Sequence, residues 1–162
     1  RIGYQIGDYF FSPDDIEHGI LRGNRSHPLL PWKQFFGNDS RKELAIQKFD
    51  PRIHFALVCA ASSCPPIEFY DSHQIDEQLD LSSRSFLNRK GLEFDKKTKT
   101  IYLSKIFQWY ARDFGKDWNE RLELLAQFLN TDNQNYLLNN LGNLTIRFLP
   151  YNWNLNQVLE DE

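Results

Sequence analysis

Residues 50–67, DPRIHFALVCAASSCPPI, decide how this chain is read, because a buried-type apolar run, a histidine, both cysteines and a proline pair fall in one continuous stretch. Asp50-Pro51 marks a turn, and Ser62 to Pro66 cannot continue a central strand. Between them the residues are apolar or alternating, so Ile53 to Val58 is expected to be a strand with His54 inside the sheet. Cys59 is expected at its end, packed toward the core.

Strand geometry sorts the reactive side chains. Ile53, Phe55, Leu57 and Cys59 share one face, and Arg52, His54, Ala56 and Val58 the other. His54 and Cys59 then point opposite ways and lie about 16 Å apart along an extended strand, too far for a thiolate–imidazole pair. Cys64, beyond a Ser-rich turn, is able to fold back toward His54. A dyad of His54 with Cys64 is geometrically open; one with Cys59 needs a bend.

Upstream, Arg1 to Phe11 carries strand-type Ile, Tyr and Phe punctuated by Gly3 and Gly7-Asp8, which suggests an edge strand or hairpin. Ser12-Pro13-Asp14-Asp15 is a helix start with Ser12 as N-cap and Pro13 at the first helical position, and Gly23 marks the stop. At 100° per residue this helix places Ile16, Ile20 and Leu21 on an apolar face with Glu17 among them, while His18 and Arg22 fall opposite. A half-buried carboxylate must find a cation or several donors. Arg52 and His54 are the natural candidates: either Glu17 forms a structural ion pair with Arg52, or it orients and charges His54. Residues 24–38 read as an irregular loop whose aromatics, Trp32 among them, either complete the core or border a ligand site. Ser40 to Gln47 is expected to form a short helix.

Downstream, Ser72 is expected to cap a helix from about His73 to Lys90, ended by Gly91. LEFDKKTKTIYL alternates on both sides of a polar turn and signals a β-hairpin. Ser104 caps a helix with Ile106, Phe107, Tyr110 and Phe114 on one stripe, closed by Gly115. Two more helices are expected over 117–130 and 133–141, then a strand over 144–148, closed by Pro150-Tyr151-Asn152-Trp153. Scattered strands with several helices and no regular alternation fit an α+β domain with a mostly antiparallel sheet.

The run DPRIHFALVCAASSCPP, together with SPDDIEHGILRG upstream and SKIFQWYARDFG and LPYNWNLN downstream, resembles the bacterial and plant family called "domain of unknown function 547". Four blocks in order over nearly the whole chain carry the resemblance. It implies no established activity. It does imply an Asn/Tyr-rich helical segment before SPDDIEHGILRG, so the chain is expected to be a fragment of a longer family domain. Plant members often carry serine where Cys64 stands, and are joined to a predicted leucine-zipper region.

A length of 162 residues, 41% hydrophobic and 15% aromatic, suits one compact domain. A net charge of −3 without a basic run argues against nucleic acid or an anionic membrane surface as the main partner. No apolar stretch approaches a membrane span. Cys59 and Cys64 are expected as free thiols in a reducing cytoplasm, since their spacing is no disulfide framework.

Phosphate loops, dinucleotide fingerprints, nucleophile elbows and zinc signatures are missing, so no cofactor and no metal is expected. Three functions remain. The first is a hydrolase or acyl-transfer enzyme in which Cys64 is the nucleophile, His54 the base and Glu17 the orienting carboxylate. A sheet-borne histidine in such a domain resembles papain-like and transglutaminase-like folds by analogy alone. The second is a non-catalytic interaction or scaffold module with a structural Glu17–His54 pair. The third is a small-ligand pocket under the 24–38 loop. Arg52, Cys59 and Trp32 are the candidate binding residues, for a protein or small-molecule partner.

Overall fold

The computed structural model describes residues 2–28 and 30–156. Two compact units divide the chain, Arg1–Pro51 and Arg52–Glu162.

The first unit opens with the expected hairpin, β1 (Tyr4–Ile6) antiparallel to β2 (Tyr9–Phe11), turning at Gly7 with φ +57°. Ser12 is the helix cap. Its hydroxyl accepts from Asp15 N at 3.2 Å, and Asp15 Oδ2 accepts from Ser12 N at 2.8 Å, a reciprocal box that satisfies two orphan donors. The helix α1 (Asp15–Leu21) then winds wider than an α-helix: Arg22 N donates to Glu17 O at 2.8 Å and Asn24 N to Gly19 O at 3.0 Å, both i→i+5. This corrects the expected face. Asp15, His18, Gly19 and Arg22 are buried, whereas Ile16, Glu17, Ile20 and Leu21 are only half-buried, because a wider helix rotates successive residues by less than the α-helical step.

Phe35 is fully buried. A Cβ on Gly19 would stand 2.3 Å from its ring, so glycine is what allows the contact. The Asn24 side chain brackets the Phe35 backbone, accepting from its N and donating to its O, each at 2.8 Å. The Arg41 guanidinium lies 4.6 Å from the centroid of the same ring. Arg41 sits on the short helical turn Ser40–Leu44, capped by Asp39.

The largest departure from expectation lies where the chain passes from the first unit into the second. Residues Pro51–Phe55 form a turn of 3₁₀ helix, with Ala56 N and Leu57 N donating to Ile53 O at 3.0 Å. His54 is therefore on a helical turn, not on a strand. Pro51 supplies the physical reason, since its fixed φ suits the first position of a helix, and a short apolar run cannot by periodicity alone be told from buried helix. The turn buries Ile53, His54 and Phe55 together.

The remaining elements lie close to their sequence signals, with two corrections: Ser72 does not cap the helix that follows it, and the helix expected from Ser104 to Gly115 is broken at Tyr110. Helix α2 (Ile75–Phe86) continues as one wide turn, Leu87–Gly91. Strands β3 (Leu92–Asp95) and β4 (Thr100–Leu103) form the expected hairpin, its turn fastened by Asp95, which accepts from Lys97 N and from the Thr98 hydroxyl. Short helices α3 (Ile106–Trp109) and α4 (Ala111–Phe114) precede α5 (Trp118–Ala126) and α6 (Thr131–Asn139). Strand β5 (Thr145–Phe148) then pairs parallel with β4, giving the order β3-β4-β5.

One apolar core joins these elements: Phe55, Phe86, Leu87, Ile101, Leu103, Phe107, Phe114, Leu122, Leu125 and Leu137 are nearly or wholly sealed from solvent. The Phe55 ring lies within 6.0 Å, centroid to centroid, of Phe86, Phe107 and Phe114. The architecture is α+β, with two small, mostly antiparallel sheets. Among the described residues no helix is long and apolar enough to cross a membrane.

Candidate functional site

After Leu57 the chain leaves the helical turn and enters a loop whose shape is set by two contacts. Ala60 adopts a left-handed φ of +60°, and Cys64 N donates to Ala61 O at 2.9 Å, closing a tight turn between the two cysteines. The loop is also laced to the C-terminal segment. Ala61 bridges antiparallel to Leu155, Ser62 N donates to Asn154 O at 2.8 Å, Asn156 N to Ala60 O at 2.8 Å, and Asn152 N to the Ser63 hydroxyl at 2.8 Å.

That lacing delivers Tyr151 to both sulfurs. Its hydroxyl lies 3.4 Å from Cys59 Sγ and 3.2 Å from Cys64 Sγ, while Cys59 N donates to Cys64 Sγ at 3.2 Å. Cys59 is exposed and Cys64 buried, so the expectation that Cys59 packs toward the core is reversed. Without a strand to carry it inward, Cys59 takes the outer position of the turn.

The environment separates the two thiols. Burial opposes ionisation of Cys59, but hydrogen bonds from Cys64, Tyr151 and the Ala61 backbone outweigh it and bring the thiol below its ordinary range. Burial pushes the Cys64 thiol up, and its contact with Cys59 pushes the same way. Tyr151 is raised as well, first by burial and then by its bonds to both cysteines, so its hydroxyl keeps its proton. The Tyr151 ring packs against Trp109 and Trp153, with centroids 4.8 and 4.5 Å away.

Tyr151 also forms part of the wall of a pocket of about 280 Å³, which carries Arg89, Lys90 and Lys105 with Glu93 as the single acid. Lys90 Nζ donates to Ser62 O at 2.9 Å, tying the end of the wide turn to the cysteine loop.

His54 has a different neighbourhood. Its Nε2 lies 2.9 Å from Asp113 Oδ2, and both side chains are 2% exposed. The Tyr110 and Phe114 rings lie 4.3 and 5.2 Å from the imidazole. The structure thus brings Cys64 together with Cys59 and Tyr151, and His54 together with Asp113.

The other candidate residues are placed as follows. Glu17 is in the first unit, half-buried, with Oε1 3.6 Å from Nδ1 of buried His18. Arg52, at the start of the second unit, forms ion pairs with Asp76 at 2.5 Å and Asp80 at 2.6 Å. Trp32 is 57% exposed.

Sequence reasoning missed Asp113 and Tyr151. Asp113 carries a legible signal: it sits within the Ile106 to Phe114 aromatic stripe, and a carboxylate in an apolar stripe demands a partner as much as Glu17 does. Tyr151 carries none, because nothing local relates it to a pair of cysteines about 90 positions earlier.

Comparison with known families finds that residues 1–87 match a family described as "Protein of unknown function, DUF547". No curated protein and no solved structure matches the chain.

Proposed function

The chain belongs to the family of proteins of unknown function DUF547, and on that premise we propose that its second unit is a thiol-dependent enzyme of the hydrolase or acyl-transfer class, with Cys59 as the nucleophile. One observation carries the reading: the Tyr151 hydroxyl and two sulfurs meet within 3.4 Å, Tyr151 also lines a pocket, and the exposed sulfur is the easier to ionise. A thiolate is the reactive form of cysteine, and donors aimed at the sulfur stabilise it. In the first step the Cys59 thiolate adds to an acyl carbon and its C–X bond breaks. The leaving group departs with the bonding pair and is protonated from solvent. Water, or an acceptor nucleophile, then adds to the thioester carbon, gives up a proton and releases the Cys59 thiolate. Tyr151 holds the sulfur throughout.

Cys64 as nucleophile with His54 as base, and Glu17 orienting the base, is the alternative within the same class. The geometry favours it less: Cys64 is buried and engaged by Tyr151 and by Cys59 N, and His54 Nε2 faces Asp113.

A non-catalytic interaction or scaffold module is the second reading, and the sealed His54–Asp113 pair favours it. A histidine 2% exposed and enclosed by Tyr110 and Phe114 fixes packing well and meets a substrate poorly.

Iodoacetamide alkylation across pH separates the two readings. The wild-type protein and its Cys64→Ser variant are expected to alkylate at Cys59 with an apparent pKa below the free value of about 8.5, and Cys59→Ser to lose that reaction. Alkylation of Cys59 only above that value sinks the enzyme reading and leaves the scaffold.

A further inference from the structure

The pocket wall that contains Tyr151 has a charge pattern which the thiol pair does not require. Arg89, Lys90 and Lys105 line the pocket of about 280 Å³ with one acid, Glu93, leaving a surplus of two positive charges in its wall. Lys90 is engaged with Ser62 O, but among the described residues Arg89 and Lys105 have no ion-pair or hydrogen-bond partner for their side chains. Two hydroxyls in the same wall are poised as donors. Ser63 Oγ accepts from Asn152 N at 2.8 Å and Ser104 Oγ accepts from Ile106 N at 3.4 Å, so each keeps its own proton to give. Leu149 and Pro150 complete the wall with apolar surface.

A wall that carries one arginine, two lysines and two serines against one acid, a surplus of two positive charges, matches a tetrahedral dianion better than a single carboxylate. Charge-assisted bonds to phosphate oxygens from Arg and Lys are among the stronger polar contacts available. The volume lies near the lower limit for small-molecule pockets, about 300 Å³, enough for one phosphate on a short body. We propose that this pocket binds a phosphate monoester and that the phosphate anchors the substrate of the thiol site. The second half of that statement rests on the reading of Cys59 as nucleophile; the anion site itself does not.

Binding is measured first on the Cys59→Ser variant, by calorimetric titration with phenyl phosphate and with inorganic phosphate at constant ionic strength. Saturable binding is expected, weakened at least tenfold in a further Arg89→Gln/Lys105→Gln variant whose thermal midpoint is unchanged. No saturation, equal binding of acetate, or affinity indifferent to the two substitutions overturns the anion site. The substrate assignment is read on the wild-type protein, where saturating phenyl phosphate is expected to slow alkylation of Cys59 at least fivefold. Bound phosphate with an unchanged alkylation rate overturns that assignment and leaves the anion site standing. An ordinary Cys59 pKa with intact phosphate binding overturns the nucleophile alone.

Discussion

Asp15, His18 and Arg22 are among the side chains most removed from solvent in the first unit, whereas Phe55, Phe86, Leu87 and Ile101 hold that place in the second. Asp15 accepts from Ser12 N and Oγ and from Gln34 Nε2 at 2.8 Å each, and lies 3.3 Å from Arg41 Nη1. His18 Nδ1 lies 2.9 Å from Arg22 Nη1. In the second unit the comparable polar pair, His54 with Asp113, is packed among aromatic rings. A short segment with few buried apolar side chains reaches a single conformation through directional bonds, each of modest net worth but costly to leave unmade. A longer segment with helices and a sheet does so through area buried, which is stronger in sum and less particular in geometry.

Substitutions that sharpen this contrast differ in size. Phe55→Ala is expected to cost about 3–5 kcal/mol, the usual loss for a buried aromatic among packed rings; a urea titration showing under about 1 kcal/mol would mean that the second unit does not depend on that cluster. Asp15→Asn is expected to cost about 1.5–3 kcal/mol at pH 7, the range for hydrogen bonds to a charged group. Burial alone would raise the Asp15 pKa, but Gln34, Ser12 and Arg41 outweigh it and hold the carboxyl below its ordinary value. A depressed folded pKa contributes stability that is fully present above the unfolded value of about 3.9 and is lost as pH falls through the folded one. Wild-type stability should therefore drop below about pH 4 by a component absent from Asp15→Asn, and identical pH profiles would remove Asp15 from the centre of the first unit. Gly19→Ala is expected to cost about 1–2 kcal/mol, as overpacking against Phe35 exceeds alanine's better helix propensity. An unchanged or raised thermal midpoint would show that the ring moves aside freely.

Legibility followed the same division. The hairpin over 92–103, helices over 75–86, 118–126 and 131–139 and the strand over 145–148 were all marked by local periodicity and turn chemistry, and the α+β class follows from them. Ser12 and Gly23 mark the ends of the first helix, yet its buried face is the opposite of the periodic one because i→i+5 winding leaves no mark in a periodicity read at the α-helical angle. IHFALV, a β-rich apolar run, reads as a strand around His54, whereas the proline that precedes it at the first helical position is the signal the structure follows. At the candidate site the cysteines and the histidine were singled out by residue type, but their companions Tyr151 and Asp113 are supplied by segments remote in the chain. Local pattern has no access to such pairings.

The lacing of residues 60–63 to residues 152–156 has a kinetic meaning. The two cysteines are five positions apart, yet the hydroxyl they share arrives only when a segment 92 positions beyond Ser62 closes on the loop. Closing so long a loop carries an entropic cost that nearby contacts do not, and non-local pairings of this kind form late in folding. The contacts that Tyr151 makes with the two sulfurs are therefore expected to form after the surrounding core, when the chain has closed over residues 60–63.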